Sequence, residues 1–180
     1  MYEAVVEGCW WKAKSILNSD KNTATEVITT ANGNTILHMA VEMGHNNFVE
    51  KLLEFLEDEK DIEIQNYMGQ TALHIAAMVG NTYATHLLVQ KRRQLLEIED
   101  HNHHLPFYIA SINLKNNTST YLFRSTPLSV STTYPDYLKE YALYQAITSC
   151  QYGKLFIQGV VSVPGECLID EHEHGPHIYG

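Results

Sequence analysis

NGNTILHMAVEMGHNN, Asn32 to Asn47, is echoed by GQTALHIAAMVGNT, Gly69 to Thr82. Both stretches carry a Thr-x-Leu-His-x-Ala core with a glycine two residues before the threonine and another four after the alanine. A histidine beside a threonine could be chemistry or architecture. Recurrence decides for architecture, because reacting groups converge in space and do not recur at a fixed period along a chain.

The echo extends in both directions. His38 and His74 are 36 residues apart, and the same step lands on Tyr2, Tyr108 and Tyr144 with an offset of 34 to 36. Two residues past these anchors stand Ala4, Ala40, Ala76, Ala110 and Ala146, and four further on Gly8, Gly44, Gly80, Leu114 and Cys150. Eight residues before an anchor lie Asn66, Asp100 and Asp136. Apolar pairs recur at Ile16-Leu17, Leu52-Leu53, Leu88-Val89 and Leu122-Phe123. A period in this range marks a stacked array in which each unit buries its apolar face against the next.

Each position has a physical reading. Thr35 and Thr71 precede apolar periodic runs as helix N-caps do, and Pro106 fits a first helical turn, where a missing N–H costs nothing. Small Ala40, Ala76 and Ala77 let paired helices approach closely. Gly44 and Gly80 end the first helix of each unit, and Gly33 and Gly69 suit the tight turn before it.

Thr35-Ile36-Leu37-His38-Met39-Ala40 and Thr71-Ala72-Leu73-His74-Ile75-Ala76 resemble the T-P-L-H-x-A signature of the ankyrin repeat, and Leu105-Pro106-Phe107-Tyr108-Ile109-Ala110 is similar in degraded form. The resemblance implies an all-α solenoid of about five helix-turn-helix repeats joined by short hairpin-like turns. One array is expected over residues 1–180, with repeats at 1–28, 29–64, 65–98, 99–134 and 135–170 and an incomplete sixth at 171–180. It also implies that His38 and His74 bridge backbone and threonine groups between repeats. The pattern degenerates towards the C-terminus. His103 and Leu114 replace the two glycines of the fourth repeat, its second-helix stretch KNNTSTYLF is polar, and RSTPLSVSTTYPD reads as an extended connection. In the fifth, Cys150 stands where glycine belongs, and Gly153 and Gly159 interrupt the second helix.

TALHIAAMVGN, a long inter-repeat segment and DxxxxLPFYIA together look similar to the arrays of plant ankyrin-repeat proteins. Those arrays are typically followed by a PGG-type membrane domain and are linked to stress and defence signalling. No such domain follows here, so a complete chain is expected to be soluble and cytoplasmic, and a truncated one to have lost its anchor.

Composition narrows the function. A net charge of −9, from 12 basic and 21 acidic residues, argues against a nucleic-acid footprint. Three distant cysteines, Cys9, Cys150 and Cys167, fit free thiols in a reducing compartment. No stretch approaches the roughly 20 apolar residues of a membrane helix. No GxSxG, P-loop or HExxH motif is present, so neither an enzyme nor a cofactor or small-molecule site is expected. The rival chemistry is metal binding by two histidine clusters, His101-His103-His104 and His172-His174-His177. Polar turn tips account for the first, and two clusters so far apart in a solenoid would not share an ion. The acidic stretch Glu54 to Asp61 reads as a helix end plus loop, and Trp10-Trp11 as a cover for the open end of the core, with a partner anchor as the alternative.

The expected function is therefore non-enzymatic protein binding on a concave face made of turn tips and first helices. Ankyrin contact positions carried onto this chain give Asn32, Asn34 and Met43 in the second repeat and Tyr67, Met68, Gln70, Met78 and Val79 in the third. The fourth supplies His101, His104 and Ile112. Their aromatic and methionine content suits protein recognition.

Overall fold

The computed structural model describes residues 1–127, so the expectations for the fifth and sixth repeats, for the connection beyond Pro127 and for the cluster at His172 to His177 lie outside it. Among the described residues eight α-helices alternate with turns: α1 (Tyr2–Val6), α2 (Trp10–Ser19), α3 (Ile36–Glu42), α4 (Asn46–Phe55), α5 (Ala72–Val79), α6 (Thr82–Lys91), α7 (Pro106–Ile112) and α8 (Asn116–Ser125). Consecutive helices pair as α1·α2, α3·α4, α5·α6 and α7·α8. First helices stack as α1·α3·α5·α7, and second helices as α4·α6·α8. Among the described residues the only extended pairing is an isolated bridge between Val27 and Thr35. This is the expected all-α solenoid.

The repeating alanines mark the sharpest regularity. The amides of Cys9, His45, Asn81 and Lys115 donate to the carbonyls of Ala4, Ala40, Ala76 and Ala110 at 2.8–3.0 Å, the six-to-one bond of a Schellman helix end. That bond requires a left-handed residue just before the donor. Gly80 supplies it with φ 79°; in the fourth repeat Leu114 takes the same conformation at φ 56°.

The core is built from equivalent positions. Leu17, Leu52, Leu88 and Leu122 on the second helices are fully buried, as are Ile36, Ala40, Leu73, Ala76 and Ala110 on the first. Of the predicted apolar pairs, Ile16 differs and faces solvent. Each connection between repeats folds into a short 3-10 turn, at Lys21–Ala24, Glu59–Ile62 and Arg93–Glu97. These turns plug Ala24, Ile62 and Leu95-Leu96 into the core. Asp58, from the acidic stretch, caps the second of them by accepting from the Lys60 amide at 2.9 Å. Arg92 pairs there with Glu63 at 2.7 Å and with Glu59, tying the end of α6 to the preceding connection.

The polar stretch expected to weaken the fourth repeat nevertheless forms α8. Its small polar residues are used inside: Thr118 and Ser119 are buried, and the hydroxyls of Thr118 and Thr82 meet at 2.8 Å.

Candidate functional site

The candidate face begins at the turns that precede the first helices. Asn66 organises the turn of the third repeat, its Oδ1 accepting from the amides of Met68 (2.9 Å) and Gln70 (3.0 Å). Asp100 does the same in the fourth repeat for Asn102 (2.8 Å) and His104 (2.9 Å). In the second repeat the slot belongs to Thr29, whose hydroxyl accepts from Asn34 at 3.0 Å. That turn is one residue longer, with Thr29 to Gly33 spanning what Asn66 to Gly69 spans in the next. The offset of eight residues that reaches Asn66 from His74 falls on Thr30 when counted from His38, one residue past the slot.

Successive tips are bonded into a rail. The Tyr67 amide donates to the Asn32 carbonyl at 2.9 Å, and the His101 amide to the Met68 carbonyl at 3.0 Å. The Asn66 Nδ2 donates to Asn34 Oδ1 at 2.9 Å, and the Gln65 Nε2 to the Glu99 carbonyl at 2.9 Å. The rings of Tyr67 and His101 lie over Gly33 and Gly69 of the preceding turns. A Cβ added there would meet Tyr67 Cδ1 at 2.5 Å or the His101 backbone nitrogen at 2.6 Å.

Beneath the rail sit the two histidines of the signature. His74 Nδ1 accepts from the Thr71 amide at 3.1 Å and from its hydroxyl at 2.9 Å, so the ring proton sits on Nε2 and is donated to the His104 carbonyl at 3.1 Å. His38 repeats this with Thr35 (3.3 and 2.9 Å) and the Gln70 carbonyl (2.9 Å). Each histidine completes a capping box at its helix start. Burial lowers both pKa values, that of His74 to about 4. Both residues are neutral structural struts at pH 7.

The predicted contact residues fall into three groups. Tyr67, Met68, Met43 and Ile112 are 62, 57, 42 and 54% exposed, and Asn32 and His101 are also open to solvent. Gln70, Met78, Val79 and His104 are half-buried, with Met78 packed against the core. Asn34 needs correcting: it is buried, its carboxamide held between Asn66 and the Glu42 carboxylate (3.3 Å), which makes it a brace of the rail rather than a contact surface. Met43, Met78, Val79 and Ile112 mark the far ends of their helices, roughly 10 Å from the tips at 1.5 Å per residue. The face therefore has two belts, one at the tips and one at the helix ends.

The tip histidines take separate partners. His103 Nδ1 lies 2.7 Å from Glu99, His104 Nδ1 lies 3.6 Å from Asp100, and the His104 ring packs on Tyr108 with centroids 4.6 Å apart. Among the described residues no group of three His, Cys, Asp or Glu side chains is set to hold a metal ion. Two exposures were not foreseen. Leu114 is 75% exposed, because the Schellman geometry turns it outward; and the reading of Trp10-Trp11 as a cover for the core holds for buried Trp10 but not for Trp11, which is 72% exposed. The substitution of Leu114 into a glycine row was the available signal for the first.

Stacked helix pairs with a hydrogen-bonded rail of tips define a repeat scaffold that leaves large apolar side chains in solvent, among them Tyr67 and Met68 at the tips. The chain belongs to the ankyrin-repeat family: residues 2–100, more than half of it, match the family described as ankyrin repeats (3 copies). A fourth helix pair, α7 and α8, continues the same architecture past the matched residues. Similar proteins include the target of rapamycin complex 2 subunit AVO2 of Saccharomyces cerevisiae, 29% identical over 62% of this chain and 26% of that protein. BTB/POZ domain-containing protein 1 of Schizosaccharomyces pombe is 38% identical over 44% of this chain and 6% of its own length. The chain thus spans about a quarter or less of these relatives. A chain in the crystal structure of yeast ribosomal protein Rps3 with its chaperone Yar1 shares the fold at TM-score 0.61 and 23% identity, covering 67% of this chain and 87% of that one. Among the described residues no helix is long and apolar enough to cross a membrane.

Proposed function

We propose that the chain is a non-enzymatic docking module in the cytoplasm that binds a partner protein across the tips and first-helix ends of repeats two to four. The observation that carries this is the set of four large apolar side chains, Tyr67, Met68, Met43 and Ile112, held in solvent by the array. Tyr and Met are enriched where proteins meet, and a prearranged surface lowers the ordering cost of binding. The buried titratable groups support a role without catalysis, since both ring nitrogens of His38 and of His74 are already bonded within the fold. That one relative is named as a subunit of a protein complex supports assembly as the task. The likeness of TALHIAAMVGN and DxxxxLPFYIA to plant arrays supports a partner in stress or defence signalling.

The test is capture from a native lysate with the chain and with a variant carrying Tyr67→Ala, Met68→Ala and Ile112→Ala. All three side chains are more than half exposed, so the variant should keep its helical content and melting temperature. A partner held by the parent and lost by the folded variant supports the face. Equal capture by both would remove it.

A further inference from the structure

Trp10 and Trp11, the chain's two tryptophans, are neighbours in α2 with opposite surroundings. Trp10 is buried, edge-on to Phe48 and Phe55 with centroids 5.4 and 6.3 Å away, and so covers the end of the core. Trp11 is 72% exposed. The ammonium groups of Lys14 on α2 and Lys51 on α4, from adjacent repeats, each stand 5.8 Å from a Trp11 ring centroid. A groove of about 340 Å³ runs here, lined by Trp10, Trp11, Lys14, Lys51, Glu54 and Phe55.

Charge gives this groove its character. The chain carries nine net negative charges, and Lys12, Lys21 and Arg92 are all engaged by glutamates. Among the described residues neither Lys14 nor Lys51 forms an ion pair. Two unneutralised ammonium groups therefore converge on one large exposed ring, against the single carboxylate of Glu54. At 5.8 Å they sit at the outer limit of cation–π attraction, which leaves their N–H donors free for an incoming anion. Exposed tryptophan flanked by cationic side chains has the makings of a binding hot spot, with apolar area at the centre and charge at the rim.

We infer that the Trp11–Lys14–Lys51 groove is a second docking site, on the second-helix row, for an acidic peptide segment bearing an apolar side chain. The apolar side chain covers the Trp11 ring, and flanking carboxylates take the two ammonium groups. The site is independent of the tip face.

The two tryptophans make the test direct, because only Trp11 is open to solvent. The probes are blocked, end-labelled decapeptides: alternating Glu and Leu, alternating Lys and Leu, and alternating Glu and Ser. The Glu/Leu peptide should bind saturably, shift tryptophan emission to shorter wavelength, reduce acrylamide quenching and weaken with added salt. The Glu/Ser peptide should bind about 10-fold more weakly, and the Lys/Leu peptide not detectably. Joint Lys14→Glu and Lys51→Glu, and separately Trp11→Ala, should each lower Glu/Leu affinity by about 10-fold in label anisotropy without changing the melting temperature. The Tyr67→Ala, Met68→Ala, Ile112→Ala variant should bind the peptide as the parent does, which separates failure here from failure of the tip face. Equal binding of the Lys/Leu peptide, or unchanged affinity after charge reversal, would overturn the proposal. So would self-association of the chain that charge reversal abolishes, since the occupant would then be a second copy.

Discussion

The Nε2 of His74 donates across a repeat boundary to the carbonyl of His104 at 3.1 Å, while its Nδ1 holds the start of its own helix through Thr71. Protonating Nδ1 would turn an acceptor facing two donors into a third donor. The folded pKa of about 4 lies below the unfolded value near 6.5, so the unfolded chain binds more protons between these limits. Stability is fully present above pH 6.5 and is lost as the pH falls towards 4. From pH 7 to pH 5 the loss from this group alone is about 2 kcal/mol, and His38, shifted the same way by burial, adds to it. Urea unfolding at the two pH values measures it. His74→Gln should be less stable at neutral pH and lose most of its share of the slope; an unaltered slope would mean that other groups carry the acid sensitivity.

Two glycine rows separate backbone strain from crowding. Gly44 has φ 74° and nothing within 4 Å of an added Cβ, so Gly44→Ala should cost only the left-handed penalty, about 1 kcal/mol. Gly69→Ala faces the same penalty plus a Cβ 2.6 Å from the His101 backbone nitrogen, which cannot rotate away. Its cost should reach about 3 kcal/mol. Gly33→Ala collides instead with the Tyr67 ring, so a Tyr67→Ala background should recover part of its loss. A double-mutant cycle by thermal melting reads the coupling; additive losses would show that the ring moves aside freely.

The helix pairs, their alanine and glycine ends and the bridging histidines were legible in the sequence because each is set locally and recurs. Exposure was not, because it depends on neighbours one repeat away. Asn34 looks like any polar tip residue until Asn66 reaches it from the next turn. Trp10 and Trp11 are equivalent in composition, and one helical step of 100° separates core from solvent. The stretch KNNTSTYLF reads as a poor helix, yet Thr118 and Leu122 are buried by stacking on α6, a tertiary gain that overrides propensity. The longer second-repeat turn was invisible to a fixed offset.

His103 and Leu114 are the only non-glycine residues with positive φ among the described residues, at 61° and 56°. Both sit where the preceding repeats use glycine, and both side chains are largely exposed. Little packing is lost by removing them, so Leu114→Gly should raise stability by about 1 kcal/mol, and His103→Gly by slightly less because its Glu99 contact goes too. The combined variant should melt several degrees higher. A leucine that proves more stable than glycine would show that its side chain makes a contact worth more than the strain.

Asn66 and Asp100 occupy the same slot but are not interchangeable. Asp100 needs only acceptors for its turn amides, whereas Asn66 also uses Nδ2 to donate to Asn34 Oδ1 at 2.9 Å. Asn66→Asp would set a carboxylate oxygen against that carbonyl oxygen. Flipping the Asn34 amide offers no escape, because its Nδ2 already faces the Glu42 carboxylate at 3.3 Å, and the flip would bring two acceptors together there. The substitution should therefore cost about 2 kcal/mol although the turn itself is preserved. Adding Glu42→Gln should recover part of it, since a neutral amide can meet the flipped Asn34 with a donor. Chemical denaturation of the single and double variants decides the point: a neutral Asn66→Asp would mean that the bond between adjacent tips contributes nothing to the rail.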